Sequence, residues 1–288
     1  MLCDNCPRHC AVDRSEKRGY CGQSDKLSLA RAALHLWEEP IISGARGSGA
    51  IFFAGCQLKC VFCQNFEVSR GKGKEISIHR LAEIFQELES AGAHNINLVT
   101  ASHYVDQIIQ AVNIYQPKIP LLFNCGGYET IDTIKKLDGI VDIFLPDFKF
   151  ADNALAQRYC NAPDYFERCS DAILQMRKQV PRDVVVDGIM RQGMIIRHLQ
   201  LPSALNNTLQ FVEWCRLNLD KSTYISLMGQ YFPCGQAANF PELNQKLKPL
   251  EYKIAIARLE KYGFDNSYVQ ELRKEEKEYV PDFNFQGV

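Results

Sequence analysis

Residues 50–63 read Ala-Ile-Phe-Phe-Ala-Gly-Cys-Gln-Leu-Lys-Cys-Val-Phe-Cys, a short apolar run followed by three closely spaced cysteines. The run Ile51–Ala54 predicts a buried strand, so Cys56, Cys60 and Cys63 fall on the loop at its carboxyl end. Steps of four and three residues let one tight loop turn three thiolates toward a common centre. Such soft ligands favour zinc or an iron–sulfur cluster. Three of them leave one corner of a four-iron cluster without a protein ligand, and a substrate can bind there.

A structural zinc site is the alternative for these three cysteines. Such a site needs a fourth protein ligand, commonly a histidine. The flanking residues contain no histidine, and the nearest one downstream is His79. Because cysteine dominates the ligation of iron–sulfur clusters at such spacings, the loop favours a cluster.

Composition limits the class of protein. The 288 residues are 46% hydrophobic, enough for a substantial core, and a net charge of −1 offers no general attraction to nucleic acid. No apolar run approaches the roughly 20 residues of a membrane helix, and the N-terminus lacks the layout of a signal peptide. Twelve cysteines then indicate metal ligands and buried thiols rather than disulfides. We expect a cytoplasmic protein without membrane or nucleic-acid partners.

Short apolar runs alternate with helical periods along the rest of the chain. Repeated strand–helix units imply an α/β fold with a parallel sheet and right-handed crossovers. Six units suit a partial (β/α)6 barrel, and periodicity alone leaves an open doubly wound sheet as the alternative. In either fold ligands bind at the carboxyl ends of the strands, where the three cysteines lie. The predicted strands are Ile51–Ala54, Ile96–Thr100, Pro120–Asn124, Val141–Pro146, Met194–Leu199 and Thr223–Met228.

Three further local features are predicted from the same pass along the chain. Ser102 is expected to cap the helix that follows the second strand. The C-terminal part should contain a helix over Leu250–Tyr262 and an extended segment over Tyr268–Leu272.

A second set of cysteines, Cys3, Cys6, Cys10 and Cys21, is compressed into the first 21 residues. So short a segment has no core of its own, and a bound metal is the natural means of stabilising it. Four thiolates suit zinc, and an auxiliary iron–sulfur cluster is nearly as compatible. Two disulfides are disfavoured by the expected compartment. We predict a cysteine-rich metal-binding arm and lead-in over 1–48 and a main domain over 49–288.

Two strand ends carry polar residues that a core does not require. Asn124 ends the third predicted strand, and the pair Gly126 and Gly127 allows close approach of the backbone to a ligand. Asp147 and Lys149 stand two apart at the next strand end and share a face, where a zwitterion could meet both. An ordinary turn and a local ion pair are the plain alternatives.

The last two predicted strands end in further candidates. Arg197 could hold a carboxylate with its planar guanidinium, the alternative being a surface ion pair, and Gln230 follows the sixth strand. His103, after the second strand, is also a candidate, although a lone histidine is more often structural. Of the other cysteines, Cys125 and Cys234 could approach the site. Cys160, Cys169 and Cys215 are assigned to packing.

Taken together, these motifs resemble the radical S-adenosylmethionine (SAM) superfamily. The Cys-x3-Cys-x2-Cys loop is similar to its signature, and Phe62 and Asn65 fit that loop. The four-cysteine start and the Pro-Asp-Phe-Lys-Phe, Arg-His-Leu-x-Leu-Pro and Ser-Leu-Met-x-Gln-Tyr segments resemble one subgroup, the proteins related to pyruvate formate-lyase activating enzyme. The similarity extends over nearly the whole chain.

The resemblance implies a [4Fe–4S] cluster on Cys56, Cys60 and Cys63, whose free iron chelates the amino and carboxylate groups of SAM. One electron from the cluster would then cleave a carbon–sulfur bond to give a 5′-deoxyadenosyl radical. The residues that it implies for SAM binding are Phe62 near the adenine, Asn124, Gly126 and Gly127 at the ribose or methionine, and Asp147 and Lys149. Gln230 stands where activating enzymes often have a histidine, and no catalytic residue is assigned.

Two departures from the activating enzymes leave the reaction open. The extra cysteines precede the barrel instead of following the main loop, and the second strand ends in Thr100-Ala101-Ser102-His103 rather than Gly-Gly-Glu. The first hypothesis is a radical SAM enzyme that abstracts hydrogen from a substrate, with a glycine Cα of a partner protein as one option. The alternatives are radical modification of a small molecule or peptide, and a non-enzymatic metal-binding or electron-transfer protein. A flavodoxin or ferredoxin-like electron donor is expected.

Overall fold

The computed structural model describes residues 2–270, 272 and 280–288 of the chain. Within them, ten strands form one sheet in the order β10-β9-β8-β6-β5-β4-β2-β1-β3, with β7 paired to β8. The strands are β1 (Leu27–His35), β2 (Ser48–Phe53), β3 (Lys74–Ile76), β4 (Ile96–Val99), β5 (Leu121–Cys125), β6 (Ile143–Pro146), β7 (Val184–Val186), β8 (Ile189–Leu199), β9 (Tyr224–Met228) and β10 (Ser267–Val269). The α-helices are α1 (Pro40–Ser43), α2 (Phe66–Ser69), α3 (Ile78–Ser90), α4 (Val105–Ile114), α5 (Ile131–Lys136), α6 (Asn153–Cys160), α7 (Tyr165–Gln179), α8 (Leu205–Asn218) and α9 (Pro249–Lys261).

The parallel part of the sheet confirms the predicted fold class. Strands β2, β4, β5, β6, β8 and β9 pair in parallel and correspond to the six predicted strands. Strand β10 adds a seventh parallel member. Strands β1, β3 and β7 pair antiparallel and were absent from the prediction. Their sequences lie outside the regular strand–helix alternation, so periodicity carried no signal for them.

The sheet curves into a partial barrel, which resolves the alternative left open by periodicity. Glu39 follows β1 and accepts a hydrogen bond of 2.8 Å from Arg197 on β8. Four strands, β2, β4, β5 and β6, separate β1 from β8 within the sheet. A flat sheet would hold these side chains about 20 Å apart at the normal strand spacing. The contact therefore requires that the two sides of the sheet approach each other.

Amphipathic helices cover the outside of the barrel. In α3, Leu81, Ile84, Phe85 and Leu88 are buried at three- and four-residue spacing, as the sequence predicts. Ser77 caps this helix by accepting a hydrogen bond from the backbone N–H of Arg80. Such packing fixes each helix on the sheet and so helps to fix the positions of the strand ends.

The C-terminal part returns to the first strand. Helix α9 confirms the predicted helix, and strand β10 covers the first two residues of the predicted extended segment, Tyr268 and Val269. Residue 271 of that segment lies outside the described residues. Phe285 N–H donates to Ala30 O, and Ala32 N–H donates to Gln286 O at 2.8 Å. Phe283 packs against Phe52 edge to face. Among the described residues, no helix combines the length and hydropathy needed to cross a bilayer.

The N-terminal arm, defined here as residues 2–24, folds back on itself outside the barrel. Leu2 and Asp13 form an antiparallel bridge, and Cys3 N–H donates to Val12 O at 2.9 Å. The predicted boundary after residue 48 falls just after the first residue of β2, and β1, which precedes it, is paired with β2 along most of its length. Strand β1 therefore belongs to the main sheet, and the division into an arm with its lead-in over 1–48 and a domain over 49–288 stays a prediction.

Candidate active site

A cavity of about 580 Å³ opens at the carboxyl ends of the strands. Its size lies within the range that holds a cofactor or small ligand. Residues following or ending the parallel strands β2, β4, β5, β6, β8, β9 and β10 line it, because the curved sheet brings these ends around one space. The segment after the antiparallel strand β1 lines it too. Among the predicted site residues, the cavity is lined by Cys56, Cys60, Phe62, Cys63, Asn124, Gly126, Asp147, Lys149, Arg197 and Gln230.

The cluster loop, defined here as residues 55–63, places three thiols on the cavity wall. Gly55 has a φ of +84°, which starts the sharp turn away from β2. Burial raises the pKa of Cys56 to about 11 and that of Cys63 to about 12, and the neighbouring thiols add to both increases. Burial of three thiols at one end of a cavity favours a positively charged group that binds their thiolates.

Cys160, which the sequence analysis assigned to packing, contacts this loop instead. It lies at the end of α6, and its thiol donates to Cys60 Sγ at 3.1 Å. This hydrogen bond is the largest influence on the pKa of Cys60, which it lowers. Cys234 approaches the loop as predicted, with its thiol 3.1 Å from Phe62 O. The sequence held no signal for Cys160, because α6 reaches the loop only through the tertiary fold.

The donor set fits a cluster better than a single ion. Among the described residues, no three histidine, cysteine, aspartate or glutamate side chains are spaced to hold one metal ion. In a four-iron cluster each thiolate binds a different iron, so the ligands stand further apart than around one ion. Three soft thiolates on one loop, beside a cavity with polar walls, match a cluster with one iron open to a second ligand.

Asp147 and Lys149 meet as predicted at the end of β6. Their side chains form an ion pair that is about three-quarters buried. Burial opposes the charge of Lys149, but the carboxylate of Asp147 and the thiol of Cys60 outweigh it and raise its pKa. The ammonium group therefore stays charged on the cavity wall, next to the cluster loop.

The two glycines after β5 have different surroundings. Gly126 lines the cavity, and a Cβ there would press on the side chain of Leu58. Gly127 has a φ of +79° and packs against Asp147 O and the Tyr165 hydroxyl instead of the cavity. Gly127 thus lets β6 approach the turn, and its contact with SAM stays a prediction.

Arg197 is engaged by two carboxylates that the sequence analysis missed. Its guanidinium donates to Glu39 Oε1 at 2.8 Å and Oε2 at 2.6 Å, and also pairs with Glu38. All three side chains are nearly buried and line the cavity. The pair Glu38-Glu39 follows β1, and since that strand was not predicted, no pattern brought these residues near Arg197. Arg197 is thus not a surface ion pair, and its binding of a carboxylate ligand stays a prediction.

Phe62 and Gln230 lie on the cavity side of the cluster loop and of β9, respectively. Phe62 is held edge to face by Phe150, Tyr159 and Tyr231, with ring centroids 6.2–6.4 Å apart. Gln230 Oε1 accepts a hydrogen bond of 2.9 Å from Gln270, which also lines the cavity. An aromatic ring and an amide in these positions are suited to contact a nucleoside.

Glu129 forms a buried polar centre beneath the cluster loop. Its Oε1 accepts hydrogen bonds from Gln57 Nε2 at 2.9 Å and from Ser102 Oγ at 2.8 Å. Burial raises the pKa of Glu129 to about 7. Ser102 therefore does not cap α4 as predicted, because its hydroxyl is used here. His103 is also turned away from the cavity, since its Nε2 contacts Ala54 O at 2.8 Å.

The four thiols of the N-terminal arm lie near one another. Burial raises the pKa of Cys6 to about 12, and Cys10, Cys21 and Cys3 raise it further. A Cβ at Gly19 would stand 3.6 Å from both Cys10 Sγ and Cys21 Sγ. Every one of these cysteines is free of a disulfide.

Comparisons with known proteins agree with this geometry. Residues 50–191 match the family model of the radical SAM superfamily. An uncharacterised protein of Methanocaldococcus jannaschii is 30% identical over 276 residues, which cover 92% of this chain and 76% of the relative. Methylornithine synthase is similar in structure, with a TM-score of 0.54 and 14% identity over 89% of this chain and 66% of that one. Streptococcus suis SuiB, bound to its precursor peptide SuiA, has a TM-score of 0.51 and 12% identity, over 75% of this chain and 46% of SuiB.

The fold and the three-cysteine loop thus define an iron–sulfur protein of the α/β class with an open cluster site. The chain belongs to the radical SAM superfamily. Membership implies a [4Fe–4S] cluster and SAM as cofactors and SAM-dependent radical chemistry as the activity. The structural likenesses establish the fold alone, because sequence identity to those enzymes is low.

Proposed function

We propose that this protein is a radical SAM enzyme that abstracts a hydrogen atom from its substrate, with Cys56, Cys60 and Cys63 as the cluster ligands. The supporting observation is that these three thiols and the polar ends of the parallel strands line the same cavity. When bound, a reduced cluster and SAM supply a 5′-deoxyadenosyl radical. Since this cleavage consumes one electron, the proposal includes a flavodoxin or ferredoxin-like donor.

In this proposal the residues of the chain bind and orient SAM. Lys149 faces the carboxylate of the methionine part, and Asp147, held by Lys149, faces its ammonium group. Phe62 and Gln230 contact the nucleoside, and Asn124 binds a polar group at the end of β5. The buried aromatic rings around Phe62 exclude water from that end of the cavity.

The test is anaerobic reconstitution with iron and sulfide, followed by EPR of the dithionite-reduced protein with and without SAM. We expect a four-iron signal that shifts when SAM is added, and formation of 5′-deoxyadenosine. Cys60→Ser should abolish both. The matched control is Cys215→Ala, a buried cysteine of α8 outside the cavity, which should leave both intact. Zinc without iron, and no response to SAM, would favour a non-enzymatic metal protein instead.

A narrower proposal concerns the substrate: a glycine Cα of a partner protein, as in the activation of a glycyl-radical enzyme. It is supported by Leu36 and Trp37, apolar residues that line the cavity and are 56% and 51% exposed. Exposed apolar side chains beside a cavity suit a macromolecular partner. Such a substrate from cells grown on Cα-deuterated glycine should transfer deuterium into 5′-deoxyadenosine. Transfer from the small-molecule fraction of the same cells would favour the alternative, modification of a small molecule.

We also propose that the N-terminal arm binds a metal through Cys3, Cys6, Cys10 and Cys21, either an auxiliary iron–sulfur cluster or a zinc ion that would draw the four thiols closer together than they stand in the structure. The mutual proximity of four free thiols supports this. Metal analysis of the Cys60→Ser protein separates the two sites, because only the arm then keeps its full ligand set. One zinc per chain indicates a structural ion, and retained iron and sulfide indicate a cluster.

A further inference from the structure

One side chain joins the N-terminal arm to the cluster loop. Arg8 Nε donates to Gln57 O at 2.8 Å, and the same guanidinium donates to Cys160 O at 2.8 Å and to Asn161 O. Gln57 directly follows Cys56. The Cys160 thiol is the donor to Cys60 Sγ described above. Arg8 thus bonds to the backbone beside one proposed cluster ligand and beside the hydrogen-bond partner of another.

The arm in turn positions Arg8 through its cysteines. Arg8 lies between Cys6 and Cys10, and its backbone N–H interacts with the Cys6 thiol. Its guanidinium stacks on the ring of Tyr20, with 4.1 Å between them, and Tyr20 N–H donates to Cys10 Sγ at 3.2 Å. The position of the guanidinium therefore depends on how these thiols are held.

The rigid, planar guanidinium group of an arginine suits this connection between the arm and the cluster loop. Five N–H groups in one plane let an arginine bond to several carbonyls at once, which a lysine cannot do. Tyr128, from the turn after β5, lies 5.1 Å from the Arg8 guanidinium and restricts it on the barrel side. Movement of Arg8 would thus displace Gln57 and Cys160 together.

We propose that Arg8 is a positioning residue through which metal binding by the arm fixes the geometry of the cluster loop. With zinc or a cluster on the four arm thiols, the guanidinium holds Gln57 O and Cys160 O and so sets the spacing of Cys56 and Cys60. Without that metal, the hydrogen bonds of Arg8 to Gln57 O and Cys160 O weaken. This inference rests on the proposed metal-binding roles of both cysteine sets.

The test uses hydrogen exchange of residues 55–63 in the full-length protein, reconstituted with iron, sulfide and zinc. Arg8→Ala and Cys10→Ser should each raise exchange there about tenfold, equivalent to ~1.4 kcal/mol of lost protection. The double variant should show no more than either single one, since both changes break the same connection. The control is Arg18→Ala, because Arg18 donates to Gly22 O within the arm and, among the described residues, forms no hydrogen bond to the cluster loop; it should leave exchange unchanged.

Three results would overturn the inference. They are additive effects of the two substitutions, wild-type exchange in Arg8→Ala, and loss of the arm metal in Arg8→Ala. Arg8→Lys, which keeps the charge and removes the fork, replaces Arg8→Ala if that variant does not fold and should match its exchange. The EPR response to SAM separates the two proposals. A normal response with uncoupled exchange refutes only the role of Arg8, and coupled exchange without any response refutes only the enzyme.

Discussion

Two buried side chains near the cluster loop show how local surroundings set residue chemistry. Glu129 has two donors on one oxygen and is fully enclosed, so burial dominates its pKa. Cys160 instead changes the chemistry of a neighbour, since the hydrogen bond from its thiol stabilises the thiolate of Cys60. Neither effect follows from residue type, because both depend on neighbours distant in sequence.

The protonation of Glu129 predicts a specific pH dependence of stability. Its pKa rises from 4.5 to about 7 in the folded protein, so the folded state binds more protons between these values. The free energy of unfolding should therefore fall as pH rises through this window, by about 3 kcal/mol in all. Thermal unfolding from pH 4.5 to 8 should show this loss in the wild type and not in Glu129→Gln. The exposed Glu260→Gln serves as control and should follow the wild type.

The thiol of Cys160 should influence the cluster potential. A donor to a ligand sulfur stabilises the more negative, reduced cluster, so hydrogen bonds to sulfur raise the reduction potential. Cys160→Ala removes the bond to Cys60 Sγ and should lower the potential by some tens of millivolts while iron content is unchanged. An EPR-monitored redox titration measures this. A potential equal to that of the Cys215→Ala control would contradict the role of Cys160.

At the scale of elements, close approach of two strand ends requires glycine where a side chain would overlap the neighbouring backbone. The turn after β5 passes close to the end of β6, and Gly127 stands at the contact. Gly139, in the segment before β6, has a similar positive φ of +71° and open space around its Cβ position. A comparison of Gly127 with Gly139 therefore separates the cost of a left-handed backbone from the cost of steric overlap.

Substitution of both glycines by alanine should give unequal losses. Gly139→Ala should lower the free energy of unfolding by about 1 kcal/mol, the cost of a left-handed alanine. Gly127→Ala adds overlap with Asp147 O and should cost a further 1–3 kcal/mol or so. Urea unfolding of the two variants measures the difference. Equal losses would mean that β6 shifts to relieve the overlap without a loss in the free energy of unfolding.

At the scale of the whole molecule, closure of the barrel depends on the buried group Glu38, Glu39 and Arg197. These residues connect β1 with β8, which lie far apart in the sheet. Burial opposes the charge of Glu39, but Arg197 lowers the pKa of Glu39, so its carboxylate stays charged against the guanidinium. The cavity wall thus contains a compensated charge group.

Removal of the arginine alone should be costly. Arg197→Met leaves two buried carboxyl groups without a cationic partner, although Asn97 Nδ2 still donates to Glu38 Oε1 at 2.8 Å. We expect a loss of about 3–5 kcal/mol in the free energy of unfolding. The triple variant Glu38→Gln, Glu39→Gln, Arg197→Met removes all the charges and should recover most of that loss. Urea unfolding at pH 7 compares them. If the triple variant were no more stable than Arg197→Met, loss of packing rather than uncompensated charge would be the cause.

Much of the fold and part of the site followed from the sequence. The spacing of the three cysteines, the six parallel strands and the Asp147–Lys149 pair each depend on residues close together in the chain, where periodicity and spacing carry the information. Strand β1 was missed because it pairs antiparallel outside the repeated strand–helix units. Glu38 and Glu39 were missed together with β1, because they reach Arg197 only when the sheet curves.

The sequence by itself determined the class of fold and the place of the three-cysteine loop at the carboxyl end of a parallel strand, because each of these is encoded over a few neighbouring residues. Only the tertiary structure decided that Cys160 meets Cys60, that Glu129 lies beneath the loop and that Arg8 joins the arm to it. Those contacts join residues 49 to 100 positions apart. No local pattern specifies them, since they form only when the sheet has curved and the helices have packed around it.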